Sequence, residues 1–231
     1  MTRQLAIDLP HDTALGRGDF LVSACNSAAL QWIERWPDWP APALVLHGPA
    51  RSGKSHLAGL WRERSGGLLV AGEMVAGSAP DAMARSPAVA VDDAERAPEQ
   101  TLLHLYNCCV ERGASVLIVA RAAPAAWGIR LPDLASRLRA APAAAIGAPD
   151  DALLAAVLVK HFADRQVRVA PEVIGFVLPR MERSFAAAAG LVERLDRLAL
   201  SLGRPVTVAL ARRVLAEAAD QSSLPSDLGV T

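Results

Sequence analysis

The sequence predicts an α/β fold: a parallel sheet flanked by helices, followed by a small all-helical segment. Three observations predict it. Short apolar strands alternate with helical stretches as far as Pro149, a glycine-rich turn joins the first strand to the helix after it, and beyond Pro149 the pattern is helical only.

The chain opens on a short alternating stretch, Leu5, Ile7 and Leu9, which ends in Pro10 and the turn-rich Gly16 to Asp19. This reads as an arm over residues 1–20. A helical pattern then runs from Phe20 to Trp36 until Pro37 and Pro40 stop it, and Ala43 to His47 reads as a buried strand. Ser55 to Arg64 continues as a helix broken by Gly66 and Gly67, and Leu68 to Ala71 is a second strand. Gly72 to Pro87 carries little pattern. Ala88 to Val91 is a third strand, Pro98 to Arg112 a helix, and Ser115 to Ala120 a fourth strand. Leu131 to Leu138 is helical, and a last strand lies near Ala143 to Ile146. With Asp150 as a cap, helices fit as far as Arg165, then Pro171 to Leu178, Ser184 to Leu202 and Thr207 to Ala219. The expected organisation is therefore an arm at 1–20, an α/β domain at 21–149, a helical lid at 150–220 and a flexible tail at 221–231.

Composition narrows the function classes. Hydrophobic residues reach 52% of the 231, yet no run of 18 or more is free of charge, so no membrane span is expected. No basic segment followed by an apolar core opens the chain, and a cytoplasmic protein is expected. The formal net charge of zero leaves no overall electrostatic footprint for a long nucleic acid. Cys25, Cys108 and Cys109 are odd in number, and no metal-ligand spacing is evident between them and the five histidines. Buried, reduced thiols are expected. Of the 24 basic residues only Lys54 and Lys160 are lysine, which draws attention to sites that need a slim ammonium rather than a planar fork.

Lys54 lies in such a site. The string Gly48, Pro49, Ala50, Arg51, Ser52, Gly53, Lys54 and Ser55 matches Gly-x-x-x-x-Gly-Lys-Ser, with a strand before it and a helix after it. In that layout backbone N–H groups and the positive helix end wrap the phosphates of ATP or ADP, the lysine reaches the outer ones, and the serine ligands Mg²⁺. Asp92, at the tip of an apolar strand roughly forty residues on, is the partner acid expected on a neighbouring strand of the same parallel sheet, where it would hold the Mg²⁺ shell through water. Asp93 is the candidate to orient an attacking water; a helix cap or a solvated acid is its plain structural alternative.

The order GPARSGKS, VDDAE, LPDLASRL and then a helical lid resembles the AAA+ ATPases related to the bacterial replication initiator DnaA, and within them the Hda-type regulatory inactivators of DnaA. The resemblance spans about residues 4 to 219. It implies a five-stranded AAA+ sheet, ADP or ATP with Mg²⁺, and DnaA as a partner. It also implies that Arg137, in the Ser-Arg-Leu of LPDLASRL, is an arginine finger reaching a neighbour's nucleotide. Gln4, Leu5, Ala6, Ile7, Asp8 and Leu9 resemble the hexapeptide with which such proteins bind the sliding clamp, the β subunit of DNA polymerase III, with Leu5, Ile7 and Leu9 entering a groove and Gln4 fixing register; a short amphipathic arm folding back on its own domain is the plain structural alternative. Self-association is a further implied possibility.

The sequence ends where DnaA continues into a helix-turn-helix domain, so no sequence-specific DNA binding is expected. The family's first sensor position falls on Arg121 and its second on Ala186, with Arg183 one helical turn away as a substitute contact to nucleotide. These departures imply at most weak ATP hydrolysis by the chain itself. Two alternatives share the loop and sheet: a P-loop kinase acting on a small acceptor, and a helper ATPase that recruits another replication factor.

Overall fold

The computed structural model describes residues 20–222 except residue 78, and the side chains of residues 218–222 are not described. The arm residues Gln4, Leu5, Ile7 and Leu9 and most of the expected tail lie outside this range. Two compact units are present. One takes the described residues up to Leu153 together with Arg183–Ala186; the other takes Leu154–Glu182 and the described residues from Ala187 on.

The first unit is a parallel five-stranded sheet in the order β2, β3, β4, β1, β5. Its strands are β1 (Ala43–His47), β2 (Leu68–Ala71), β3 (Ala88–Asp92), β4 (Ser115–Ala120) and β5 (Ala143–Ala145). Helices α1 (Ser27–Arg35), α2 (Lys54–Ser65), α3 (Pro80–Met83), α4 (Glu99–Glu111) and α5 (Pro132–Ala140) surround it. Both faces are covered, so the central strands are apolar throughout instead of alternating. Ala43, Val45, Val89, Val91, Val116 and Ile118 join α3, α4 and α5 in one buried cluster. Leu44, Leu46, Leu117 and Val119, one residue out of phase, are equally buried and point to the opposite face. There Trp61 of α2 is fully buried, stacked on Trp39 at 5.4 Å and edge-on to Trp36 at 6.0 Å.

The first helix is shorter than its pattern suggests. Residues 21–26 form a turn because the buried Asn26 accepts a hydrogen bond from Ser23 N and donates one to Leu21 O, both at 2.8 Å. A side chain that satisfies its own backbone in this way competes with the helix. The weakly patterned stretch after β2 resolves into a 3-10 turn, Gly72–Gly77, and the single-turn α3.

In the second unit the body of α6 (Asp151–Asp164) packs with α7 (Pro171–Val177), α8 (Phe185–Leu202) and α9 (Val208–Ser222) around Leu158, Phe162, Val177, Leu191, Val192 and Leu195. Asp150 caps α6 as expected, accepting a hydrogen bond from Leu153 N at 2.7 Å.

Candidate functional site

In the sheet order, β1 lies between β4 and β5, so the chain leaves β1 at the point where successive connections diverge to either side. Ligands of open parallel sheets bind in that crevice, beyond the carboxyl ends of the strands. Gly48 to Gly53 fill this place. Gly48 is buried against β5: a Cβ there would come within 2.8 Å of Ile146 O, so no larger residue fits without moving backbone. Arg51 and Gly53 adopt positive φ, 61° and 90°, and together turn the chain sharply into α2.

The start of α2 is left open to an anion. Its N-cap, Gly53, has no side chain to bond the first-turn amides, and no acidic residue occupies that turn. The first N–H groups of any helix lack intrahelical acceptors and carry the positive end of its dipole. Lys54 is buried, 6% exposed, and its Nζ donates to Pro49 O at 2.7 Å, inside its own loop. Ser52 is buried, and its Oγ has no hydrogen-bond partner among the described residues. Ser55 is exposed on the first turn, while Pro49 and Ala50 lie at the surface of the loop. An orphaned hydroxyl, uncapped amides and an ammonium held by a carbonyl together fit a polyphosphate.

The acids sit one strand further away than a direct neighbour would. β3 pairs with β4, not with β1, so the end of β4 stands between Asp92 and the loop. Arg121 follows directly on that end. Its Nε lies 3.7 Å from Asp93 Oδ1 and 3.8 Å from Glu95 Oε1, and its backbone N–H donates to Glu95 Oε1 at 3.2 Å. Asp92 accepts a hydrogen bond from Asp93 N at 2.9 Å, and Asp93 takes a left-handed conformation with φ 47°. Asp93 makes no side-chain cap to the turn that follows it, so the capping alternative is not realised.

Electrostatics tie these groups together. Burial pushes the Lys54 ammonium below its ordinary value, the carboxylates of Asp92, Asp93 and Glu95 pull it back up, and Arg121 opposes them. The imidazole of His47, the residue before the loop, is lowered by burial and then by Lys54. Sequence reasoning passed over His47, Glu95 and Phe20. The Phe20 ring lies 2.9 Å from where a Cβ on Gly53 would stand and 5.5 Å from the His56 ring, forming an aromatic wall beside the loop. A lone phenylalanine after a turn carries no signal for this role.

Arg137 is exposed on the last turn of α5, with its guanidinium carbon 5.5 Å from the ring centre of Tyr106. Leu134, Ala135 and Leu138 are the buried side of that helix. Arg139 is also exposed. Arg183 precedes α8 and pairs with Asp151 at 3.0 Å; Ala186 is exposed on the first turn of α8.

The cysteines are free thiols, Cys108 and Cys109 buried and Cys25 partly so. His104 and Cys108 are a single helical turn apart on α4, and Asp81 of α3 meets them, a grouping that the sequence reading did not single out. The spacing escapes notice because the third donor is far away in sequence.

Solved structures share this architecture. The chain superposes on domain III of the Thermotoga maritima replication initiation protein DnaA with a TM-score of 0.75 at 18% identity, covering 90% of this chain and 98% of that one. The fold is a DnaA-like AAA+ fold. AMPPCP-bound DnaA from Aquifex aeolicus matches with a TM-score of 0.64 at 15% identity over 87% of this chain and 68% of that chain. The Thermotoga maritima RuvB Holliday junction branch migration motor matches at 0.56 and 13%, over 76% and 61%. No protein-family model matches the chain, and no curated protein matches its sequence.

Proposed function

We propose that the chain binds ADP or ATP with Mg²⁺ at Gly48–Ser55 and acts as a negative regulator of replication initiation of the Hda type. The single observation that carries nucleotide binding is the uncapped, acid-free start of α2 beside the buried Lys54. When bound, Mg²⁺ would screen the phosphate charge, with Ser55 and, through water, Asp92 as its holders. Lys54 would exchange Pro49 O for a phosphate oxygen, and the amides of the loop would hold the phosphate in position. Arg121 keeps Asp93 engaged in an ion pair, which suits a protein that holds nucleotide more than it turns it over.

The regulatory part rests on Arg137. Held on the outer face of α5, it is available to a neighbouring molecule, and a guanidinium supplied in trans spreads charge over γ-phosphate oxygens, worth about 10³ to 10⁵ in rate. DnaA is the proposed recipient, and the sliding clamp, met through Gln4, Leu5, Ile7 and Leu9, is the proposed anchor. The LPDLASRL motif and the clamp-like arm in one chain support that pairing. Arg183, now paired with Asp151, would have to leave that partner to reach nucleotide.

Two measurements test the reading separately. Calorimetry with ATP and ADP should show binding by the wild-type protein and its loss in Lys54→Ala; no binding by the folded wild type sinks the pocket. Labelled ATP on DnaA, mixed with clamp, DNA and this protein, should be hydrolysed faster; an unchanged rate sinks the regulator.

A further inference from the structure

Asp81, His104 and Cys108 converge on one point of the first unit, away from the phosphate loop in sequence and unused by the reading above. Asp81 comes from the single-turn α3, while His104 and Cys108 lie one above the other on α4. Cys108 Sγ is 3.5 Å from Asp81 Oδ1 and 3.7 Å from His104 Nε2, and His104 Nε2 is 3.6 Å from Asp81 Oδ2. The nitrogen-to-oxygen distance is too long for a hydrogen bond, whose range ends near about 3.2 Å. It is an ion-pair spacing that also falls within the donor-to-donor edges of a tetrahedral metal site, where metal–ligand lengths of about 2.0–2.3 Å subtend edges of about 3.3–3.8 Å.

We propose that Asp81, His104 and Cys108 bind a divalent transition metal of the Zn²⁺ class, with water in the fourth position. A thiolate, an imidazole and a carboxylate form a borderline-soft donor set of the kind Zn²⁺ takes, and unlike the all-oxygen sets that suit Mg²⁺ or Ca²⁺. The carboxylate and imidazole are solvent-accessible and admit the ion, whereas the thiol is buried at the base of the site. Burial, then the hydrogen bond to Asp81, hold that thiol protonated in the absence of metal. Binding therefore replaces the thiol proton: the S–H bond breaks, a sulfur–metal bond forms, and one proton leaves to solvent. Nothing is oxidised or reduced.

The ion would clasp α3 onto α4. A helix of one turn has little stability of its own, and α3 has no side-chain cap at its start. A metal bridging it to the thirteen-residue α4 adds a second tie to the one that buried Met83 already makes.

Cobalt reports on this site because a thiolate–Co²⁺ bond absorbs in the near ultraviolet. Full-length protein stripped with a chelator should bind one equivalent of Co²⁺ with that band, lose it on adding Zn²⁺, and melt at a higher temperature with Zn²⁺ than without. Cys108→Ser should abolish the band. His104→Gln and Asp81→Asn, both at exposed positions, should weaken Co²⁺ binding at least about tenfold. The proposal is overturned if the wild type shows no band, or if the band survives unchanged in both exposed variants. Should Cys108→Ser fail to fold, those two variants decide the matter alone.

Discussion

Arg121 follows directly on β4, the strand that separates Asp93 from the glycine-rich loop, and pairs there with Asp93 and Glu95. All three side chains are substantially exposed or at the rim, so the pairs add at most about 1 kcal/mol to stability. Arg121→Ala should therefore leave the melting temperature nearly unchanged while freeing Asp93, and steady-state phosphate release from ATP should rise. No rise would mean that Asp93 does not position the attacking water. A second residue-scale effect lies on α4. Burial raises the Cys109 thiol from the ordinary 9.0 to about 11, and Cys108 and Tyr106 are raised as well. An acid whose folded pKa is raised stabilises the fold fully below its unfolded pKa and loses that contribution as pH climbs through the folded one. Denaturation midpoints should hold up to about pH 9 and fall towards pH 11, and Cys109→Ala should show a shallower fall; equal slopes would contradict the assignment.

Elements are positioned by a few polar residues that the hydrophobic pattern does not reveal. Glu99, on the first turn of α4, accepts hydrogen bonds from Arg130 N at 3.0 Å and Leu131 N at 2.7 Å, fixing the entry to α5 and hence the placement of Arg137. Asp150 was legible as a cap because its type and place are those that helix starts demand. Removing its bond to Leu153 N in Asp150→Ala should cost about 1 kcal/mol, measured by urea denaturation. A loss below a few tenths would show the cap to be replaceable. The first helix marks the opposite case. Its apolar period runs from residue 20, but Asn26 holds residues 21–26 in a turn that also places Phe20 beside Gly53.

At the scale of the molecule, the proposed activity separates an inward-facing pocket from an outward-facing arginine. Among the described residues Arg137→Ala removes a contact to the Tyr106 ring, worth about 0.5–1 kcal/mol at an exposed site, so folding and nucleotide affinity should be preserved. Stimulation of DnaA-bound ATP hydrolysis should fall by about 10³-fold or to background. A variant that stimulates as well as the wild type would remove Arg137 from the mechanism while leaving the pocket intact.

By itself the sequence determined the alternation of strands and helices, the glycine-rich loop between β1 and α2 and the acidic tip of β3, because each is written in contiguous residues: a hydrophobic period, a glycine spacing, a charge ending an apolar run. Only the tertiary structure decided that β4 stands between β1 and β3, that Arg121 meets Asp93 there, and that Asp81 joins His104 and Cys108. Strand order and side-chain convergence arise from packing separate elements over one core, and that pairing of distant residues leaves no mark in the local pattern.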